Sequence, residues 1–483
     1  MSAPITFDNS YGQLPANFYT RQALQPVTKP SLIKVNLDLA HQLGVDPTWL
    51  QTKDATQVFA GNTLLPGADP LATVYAGFQF GNWNPQLGDG RALLLGEVLT
   101  DTGQRFDLQL KGSGPTHYSR GGDGRSPLGP VLREYLVSEA MNALGVPTTR
   151  ALAAVTTGEP VYREQQEPGG VLTRVASSHI RFGSFQYFSG EQDQASLRRL
   201  ADYTIDRHYP DLQASEQPYL ALLNQVIEQI AQLIAKWQCL GFIHGVMNTD
   251  NMLITGETID YGPCAFMDTF KQATVYSAID QQGRYAYQNQ PAIAHWNLMT
   301  LAQALLPLLH DNEDVAIEQA KAALQTFPDR FDDHYNAHSA DKLGLTPSKV
   351  SRALFSEFLA LLETHELDFT NSFSGLADRL ESKTPLLPTD DWQQWMAQWQ
   401  AALQDSQDKP AARHRMQQAN PYVIPRNHLI EHAIQQAYNE GRFDQFDALM
   451  EAVTRPFDPE LARSRFAQAP ASDEIVKRTF CGT

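Results

Sequence analysis

His244-Gly245-Val246-Met247-Asn248-Thr249-Asp250-Asn251, with Asp260-Tyr261-Gly262 nine residues beyond Asn251, is the stretch on which the fold turns. Phosphoryl-transfer loops of the form H-x-D-x-x-x-x-N, followed by D-x-G, use the first aspartate as base and the asparagine and second aspartate as metal ligands. Here the histidine, Asn251 and the D-x-G are in place, but Val246 stands at the base position. Valine accepts no proton. The chain keeps a metal and nucleotide apparatus without the usual base, which points to ATP binding coupled to something other than ordinary phosphorylation. Asn251 and Asp260 offer the hard oxygens that Mg2+ prefers. Asp250 is a candidate base or further ligand, and His244 reads as a structural histidine of the loop. A Thr255-Gly256-Glu257 turn between Met252–Ile254 and a strand ending at Asp260 predicts a hairpin that brings Asn251 and Asp260 together.

Upstream, residues 72–111 read as a three-stranded meander: Thr73–Phe80, Arg91–Leu99 and Arg105–Lys111. In the third strand Phe106, Leu108 and Leu110 share one face, and Asp107, Gln109 and Lys111 the other. Lys111 ends that strand, where a phosphate-holding lysine is expected to pair with a helical glutamate. Pro130–Leu144 is the following helix, with Gly145 as its stop. Both Glu134 and Glu139 compete for the pairing, and helical phase puts Glu139 nearer the apolar sector of Val131, Leu132 and Tyr135. Gly88-Asp89-Gly90-Arg91 and Gly121-Gly122-Asp123-Gly124-Arg125 are glycine-rich segments whose backbone can approach phosphate. Arg174 and Arg181 are candidate guanidinium forks for a triphosphate. Other expected elements are a helix around Leu32–Leu43, a strand at Val171–Thr173, and helices at Gln225–Leu240, Trp296–Leu309, Pro347–Glu363, Asp391–Leu403 and His428–Tyr438.

The chain has 483 residues, 42% hydrophobic and 19% charged, an ordinary globular balance. The formal net charge of −17 argues against nucleic acid and anionic membranes as main partners. No apolar run reads as long enough to span a bilayer, and the N-terminus resembles neither a secretory nor a transit signal. Three cysteines, Cys239, Cys264 and Cys481, without C-x-x-C spacing, speak against structural zinc and for a reducing, cytoplasmic setting. A mobile tail could join Cys264 and Cys481 as a redox latch; unrelated thiols fit equally. The expected fold class is α+β: a protein-kinase-like, two-lobed, monomeric molecule. It divides into an N-terminal extension (1–71), a small sheet-rich nucleotide lobe (72–160), a larger helical lobe with the catalytic loop (161–330) and a C-terminal helical extension (331–483).

Together these residues resemble the SelO (selenoprotein O) family. The likeness runs through Asn17-Phe18-Tyr19, Leu110-Lys111-Gly112-Ser113-Gly114-Pro115-Thr116, Leu132-Arg133-Glu134-Tyr135-Leu136, the His244–Asn251 loop, Asp260-Tyr261-Gly262-Pro263, and Asn420-Pro421 with Pro425-Arg426-Asn427. The resemblance implies a kinase-like protein that adenylylates proteins. ATP lies reversed, AMP passes to a Ser, Thr or Tyr hydroxyl, and pyrophosphate leaves; UMP transfer from UTP with manganese is a further implied activity. It also implies that Gly88, Gly90, Arg91, Lys111, Asp123, Gly124, Arg174, Arg181 and Asp260 contact the nucleotide. Asp250 would accept the proton, Glu134 orient Lys111, and Asn251 and Asp260 hold Mg2+ or Mn2+. Some members carry selenocysteine near the C-terminus, where this chain has Cys481-Gly482-Thr483. Two competing readings are a phosphotransferase, which Val246 disfavours, and a non-catalytic ATP-binding scaffold, which has no need of a complete metal site.

Overall fold

Side chains along the central strands alternate between two apolar cores, and this places the polar residues of one face in a cleft. The computed structural model describes residues 4–382, 385–405 and 408–480. Its strands are β1 (Tyr19–Arg21), β2 (Ser31–Val35), β3 (Leu71–Thr73), β4 (Gly77–Gln79), β5 (Asn82–Asn84), β6 (Ala92–Leu99), β7 (Arg105–Lys111), β8 (Ser126–Pro127), β9 (Arg150–Tyr162), β10 (Gln166–Ala176), β11 (Phe242–Ile243) and β12 (Ala265–Phe266). Eight of them form one antiparallel sheet in the order β1-β3-β6-β7-β10-β9-β2, with β8 paired to β10.

The helices of the first half are α1 (Leu37–Gln42), α2 (Pro47–Leu50), α3 (Lys53–Phe59), α4 (Leu128–Ala143), α5 (Phe182–Gly190), α6 (Gln194–His208) and α7 (Pro218–Leu240). Leu95, Leu108, Leu110, Val155 and Val171 bury against α1 to α3. Their alternating neighbours Leu94, Ala154 and Leu172 bury toward α4 and the helices beyond it. Gln109, Lys111 and Arg174 stand where β7 and β10 pair: Arg174 faces Gln109, and Leu172 faces Lys111. The remaining helices are α8 (Gln290–Leu309), α9 (Glu313–Leu324), α10 (Phe327–Lys342), α11 (Lys349–Thr364), α12 (Phe369–Ser374), α13 (Leu376–Ser382), α14 (Asp390–Asp405), α15 (Lys409–Ala419), α16 (Asn427–Glu440) and α17 (Asp444–Val453). Helices α10 to α15 build a separate core around Phe358, Trp392, Trp395 and Trp399.

The architecture is therefore mixed α and β, and the helices expected at Pro130, Gln225, Trp296, Pro347, Asp391 and His428 are present, with ends shifted by a few residues. Six expectations are corrected. The helix around Leu32–Leu43 is instead strand β2 followed by α1. Leu32 and Val35 pair with β9, and the Asn36 side chain caps α1 by accepting from the Leu39 amide. The strand Thr73–Phe80 stops at Thr73, because the Ala76 amide turns to the Gly183 carbonyl at 2.9 Å, and β4 opens a separate hairpin with β5. The strand at Val171–Thr173 is the middle of the longer β10, whose partner β9 was concealed by Gly158-Glu159-Pro160, a turn-like triplet that the strand absorbs with register shifts. For the same reason the boundary drawn at 160 cuts β9, and the sheet continues to Ala176. The 252–260 hairpin does not form: Leu253 bridges Arg181 and Thr258 bridges Thr148. Finally, Tyr287–Leu309 is 23 residues long with mean hydropathy 1.3, long and apolar enough to cross a membrane by composition. Here 56% of its most apolar window is buried within the protein, so its apolarity serves the core.

Candidate functional site

A cavity of about 540 Å3 opens between the sheet and the 244–263 segment, and every site residue read from the sequence lines it. The unexpected pairing of Leu253 with Arg181 explains part of this convergence. The Phe182 amide donates to the Met252 carbonyl at 2.8 Å and the Ile254 amide to the Ile180 carbonyl at 2.9 Å, which delivers Arg181 beside both Asp250 and Asp260.

Asp260 is the hub. Its Oδ1 accepts from Lys111 Nζ at 2.5 Å and from Arg174 at 2.9 Å, and its Oδ2 accepts from Arg181 at 2.9 Å. Burial alone would raise its pKa, but the charges of Lys111, Arg174 and Arg181 outweigh burial and hold the carboxyl well below the usual range. Its backbone sits at φ 63°, a left-handed conformation costing a non-glycine residue about 1–2 kcal/mol. That strain is borne by the residue that gathers the cluster.

Glu134 is the second anchor, accepting from Lys111 at 2.6 Å and from Arg174 at 3.0 Å. Glu139 instead accepts from Arg150 (2.7 and 2.9 Å), from the Ala151 amide and from Asn36, tying α4 to β9. Arg174 is completed by Gln109 Oε1 at 2.6 and 3.1 Å. Arg181 lies over the Tyr75 ring at 4.8 Å.

Asp250 is 8% exposed. Gln79 Nε2 donates to its Oδ2 at 3.1 Å, its carbonyl accepts from Arg181, and its Oδ1 is buried without a hydrogen-bond partner. Burial lifts this carboxyl to about 6, against the opposing pull of Arg181 and Gln79. Asn251 Nδ2 donates to the Val246 carbonyl at 3.0 Å, so that Oδ1 is the atom this side chain could offer a cation. His244 is fully buried, stacks on Trp237 at 5.4 Å and is bonded to the Ile259 carbonyl at 2.8 Å, the structural role expected of it.

In the first glycine segment two amides are already engaged within the protein. The Asp89 amide already donates to the Thr73 carbonyl, and the Gly90 amide to the Gly88 carbonyl. A Cβ on Gly88 would lie 2.4 Å from the Tyr118 ring, and one on Gly90 2.9 Å from the Tyr118 carbonyl. These glycines admit the 116–119 segment, whose Thr116 hydroxyl donates to the Asp89 carbonyl at 2.6 Å. Gly124, at φ +62°, has no room for a side chain because the Gly114 carbonyl would lie 2.1 Å away. Asp123 sits at the rim, paired with Arg163 at 2.9 Å, and Arg91 lines the wall.

Sequence reading missed Gln79, Asp89 and Tyr75. Asp89, buried between two glycines and accepting from the Thr73 amide and hydroxyl, was detectable from its setting. Nothing in the sequence marks Gln79, because its role depends on the β4–β5 hairpin folding over the catalytic loop. Cys481 lies outside the described residues. Cys239 and Cys264 are both buried, and the Cys264 thiol contacts the Tyr261 carbonyl at 3.2 Å.

The family model described as protein adenylyltransferase SelO matches residues 3–454. Among curated proteins, the chain is 51% identical over 493 residues to a protein nucleotidyltransferase YdiU of Rhizobium rhizogenes, covering 99% of this chain and 97% of that one. Proteins of the same name from Bacillus thuringiensis (50% over 479 residues, 99% and 98%) and Geobacillus kaustophilus (50% over 485 residues, 100% of both) are similar throughout. With the Lys111–Glu134–Asp260 cluster intact and identity near one half along the full length, the chain belongs to the SelO family.

Proposed function

We propose that this protein is a nucleotidyltransferase that moves AMP from ATP to Ser, Thr or Tyr hydroxyls of other proteins and releases pyrophosphate, within a kinase-like, two-lobed frame. The observation that carries the reading is the gathering of Lys111, Arg174 and Arg181 on the single carboxylate of Asp260, beside a loop whose base position holds Val246. Three cations converging on one cavity, held in place by Asp260 and Glu134, suit a polyphosphate, whose oxygens would take over part of that pairing. The names of the relatives support nucleotidyl transfer, and family membership supports AMP. UMP transfer from UTP is a further expectation for the same cleft.

The donor set suits Mg2+ or Mn2+. Asn251 keeps its amide oxygen for ligation, Asp250 Oδ1 is buried and unpartnered, and Asp260 gains oxygens for ligation as its cations turn to phosphate. Asn251 and Asp260 would hold the ion, which would neutralise charge on the phosphates.

In this reading Lys111, oriented by Glu134, and the two arginines bind the triphosphate and take up charge that develops as the bond to pyrophosphate breaks. The acceptor oxygen attacks the α-phosphorus, and its proton passes to Asp250. The raised pKa of that carboxyl fits a proton acceptor better than an ordinary surface aspartate would.

Labelled ATP tests the reaction class. Label on the α-phosphate should enter acceptor protein and be lost with Asp260→Ala. Incorporation of γ-label instead would mean phosphotransfer and would overturn the reading.

A further inference from the structure

On the far side of α7, a second cavity of about 260 Å3 lies between α7, α10 and α15 and shares no lining residue with the cleft. Its wall carries more positive than negative charge: Lys236, Lys342 and Arg415 against the single carboxylate of Asp341. Lys342, the last residue of α10, is 2% exposed. Among the described residues no carboxylate pairs with it, and its ammonium rests over Phe373 at 4.2 Å and Phe369 at 5.5 Å. Arg415 of α15 donates one nitrogen to the Gly344 carbonyl at 2.8 Å, but its Nε is buried without a partner. His338 of α10 has a buried Nε2 in the same condition.

Arg415 Nε and His338 Nε2 are buried polar atoms without a partner, each at a cost in free energy, and the Lys342 ammonium has ring faces beside it and no carboxylate among the described residues. The acid in the lining, Asp341, makes no ion pair with any of them among the described residues, and Lys236 at the mouth is bonded to the Gly145 carbonyl. Burial drives Lys342 down to about 7, which is the response of an amine that lacks a counter-charge. Across the cavity, Leu240 and Phe457 supply an apolar surface.

We propose that this cavity is a second ligand site, for a small organic anion whose carboxylate or phosphate monoester is held by Lys342 and Arg415 and whose apolar part lies on Leu240 and Phe457. The volume falls just under the range of about 300–1,000 Å3 typical of drug-sized ligands, so the occupant is smaller than ATP. Its anionic group supplies the counter-charge that Lys342 lacks and acceptors for Arg415 Nε.

Calorimetric titration of the full chain with phenyl phosphate, with the cleft filled by a non-hydrolysable ATP analogue, reads this site alone. Saturable one-to-one binding is expected, abolished by Lys342→Met and weakened about tenfold by Arg415→Gln, with the affinity for the ATP analogue unchanged in both. Arg415→Gln decides the matter if Lys342→Met fails to fold. A parallel titration with benzoate distinguishes a carboxylate-selective from a phosphate-selective site. No saturable binding of either probe, or binding that survives Arg415→Gln at full strength, overturns the proposal.

Discussion

At the scale of single residues, the cleft shows why charge logic is more legible in sequence than helical phase. The cleft residues were recognisable because each is chemically conspicuous in its setting: a lysine ending a strand, arginines in an acid-rich chain, an aspartate opening D-x-G. The choice between Glu134 and Glu139 was not, because α4 is buried from Val131 to Met141 without a break and no solvent face exists to set the phase. The preorganised cations have a kinetic weight: removing one such charge typically costs about 2.7–4 kcal/mol in the transition state. Lys111→Ala or Arg174→Ala should therefore lower the turnover of labelled acceptor by about a hundredfold or more, as steady-state assays would show. His244 gives a pH prediction. Burial depresses its pKa, with the Ile259 carbonyl and Asp260 pulling the other way. The unfolded imidazole takes its proton near pH 6.5 while the folded one refuses it, so stability is lost as pH falls below about 6.5. Melting temperature should drop on acidification, and part of that slope should vanish in His244→Phe, which keeps a ring against Trp237.

At the scale of elements, the β4–β5 hairpin is what the sequence concealed most. It docks on the catalytic loop through the Phe78 amide to Thr249 Oγ1 (2.8 Å), the Phe80 amide to Asn248 Oδ1 (3.0 Å) and Gln79 to Asp250. None of these bonds has a local signature, because they join positions roughly 170 residues apart, and long-range pairing leaves no periodic trace. Gly77 permits the approach: a Cβ there would lie 3.0 Å from Asp250 Oδ1 and 3.2 Å from Thr249 Oγ1. Gly77→Val should push Asp250 out of line and cut turnover about a hundredfold, while the dissociation constant for ATP stays near that of the parent. The β9–β10 hairpin was hidden for a different reason. Its first strand is alanine-rich and carries a Gly-Glu-Pro triplet, so local propensity contradicts what sheet pairing enforces.

At the scale of the whole molecule, the C-terminal helices are joined to the cleft-bearing half by buried charge. Arg426, fully buried, pairs with Asp268 and with Asp368 at 2.8 Å and donates to Asn371 Oδ1 at 3.2 Å. Arg133 of α4 bonds Asn427 at 2.7 Å and the Cys264 carbonyl. Arg426→Met would strand two largely buried carboxylates, and denaturant melts should show a loss of about 3–5 kcal/mol. The sequence could signal that Arg426 matters but not which acids it meets, since both lie in distant segments. The far end of the chain makes a similar long-range join. The Thr479 amide donates to the Tyr276 carbonyl at 2.8 Å, the Ala278 amide donates back to the Thr479 carbonyl at 3.0 Å, and the Thr479 hydroxyl donates to the Pro263 carbonyl at 2.5 Å. Pro263 and Ile279 both belong to the cavity wall. During synthesis, then, every charged side chain of the cleft has left the ribosome long before this part of its wall can be fastened. A nascent chain stalled short of residue 479 carries the full set of charges around a cleft that lacks this fastening.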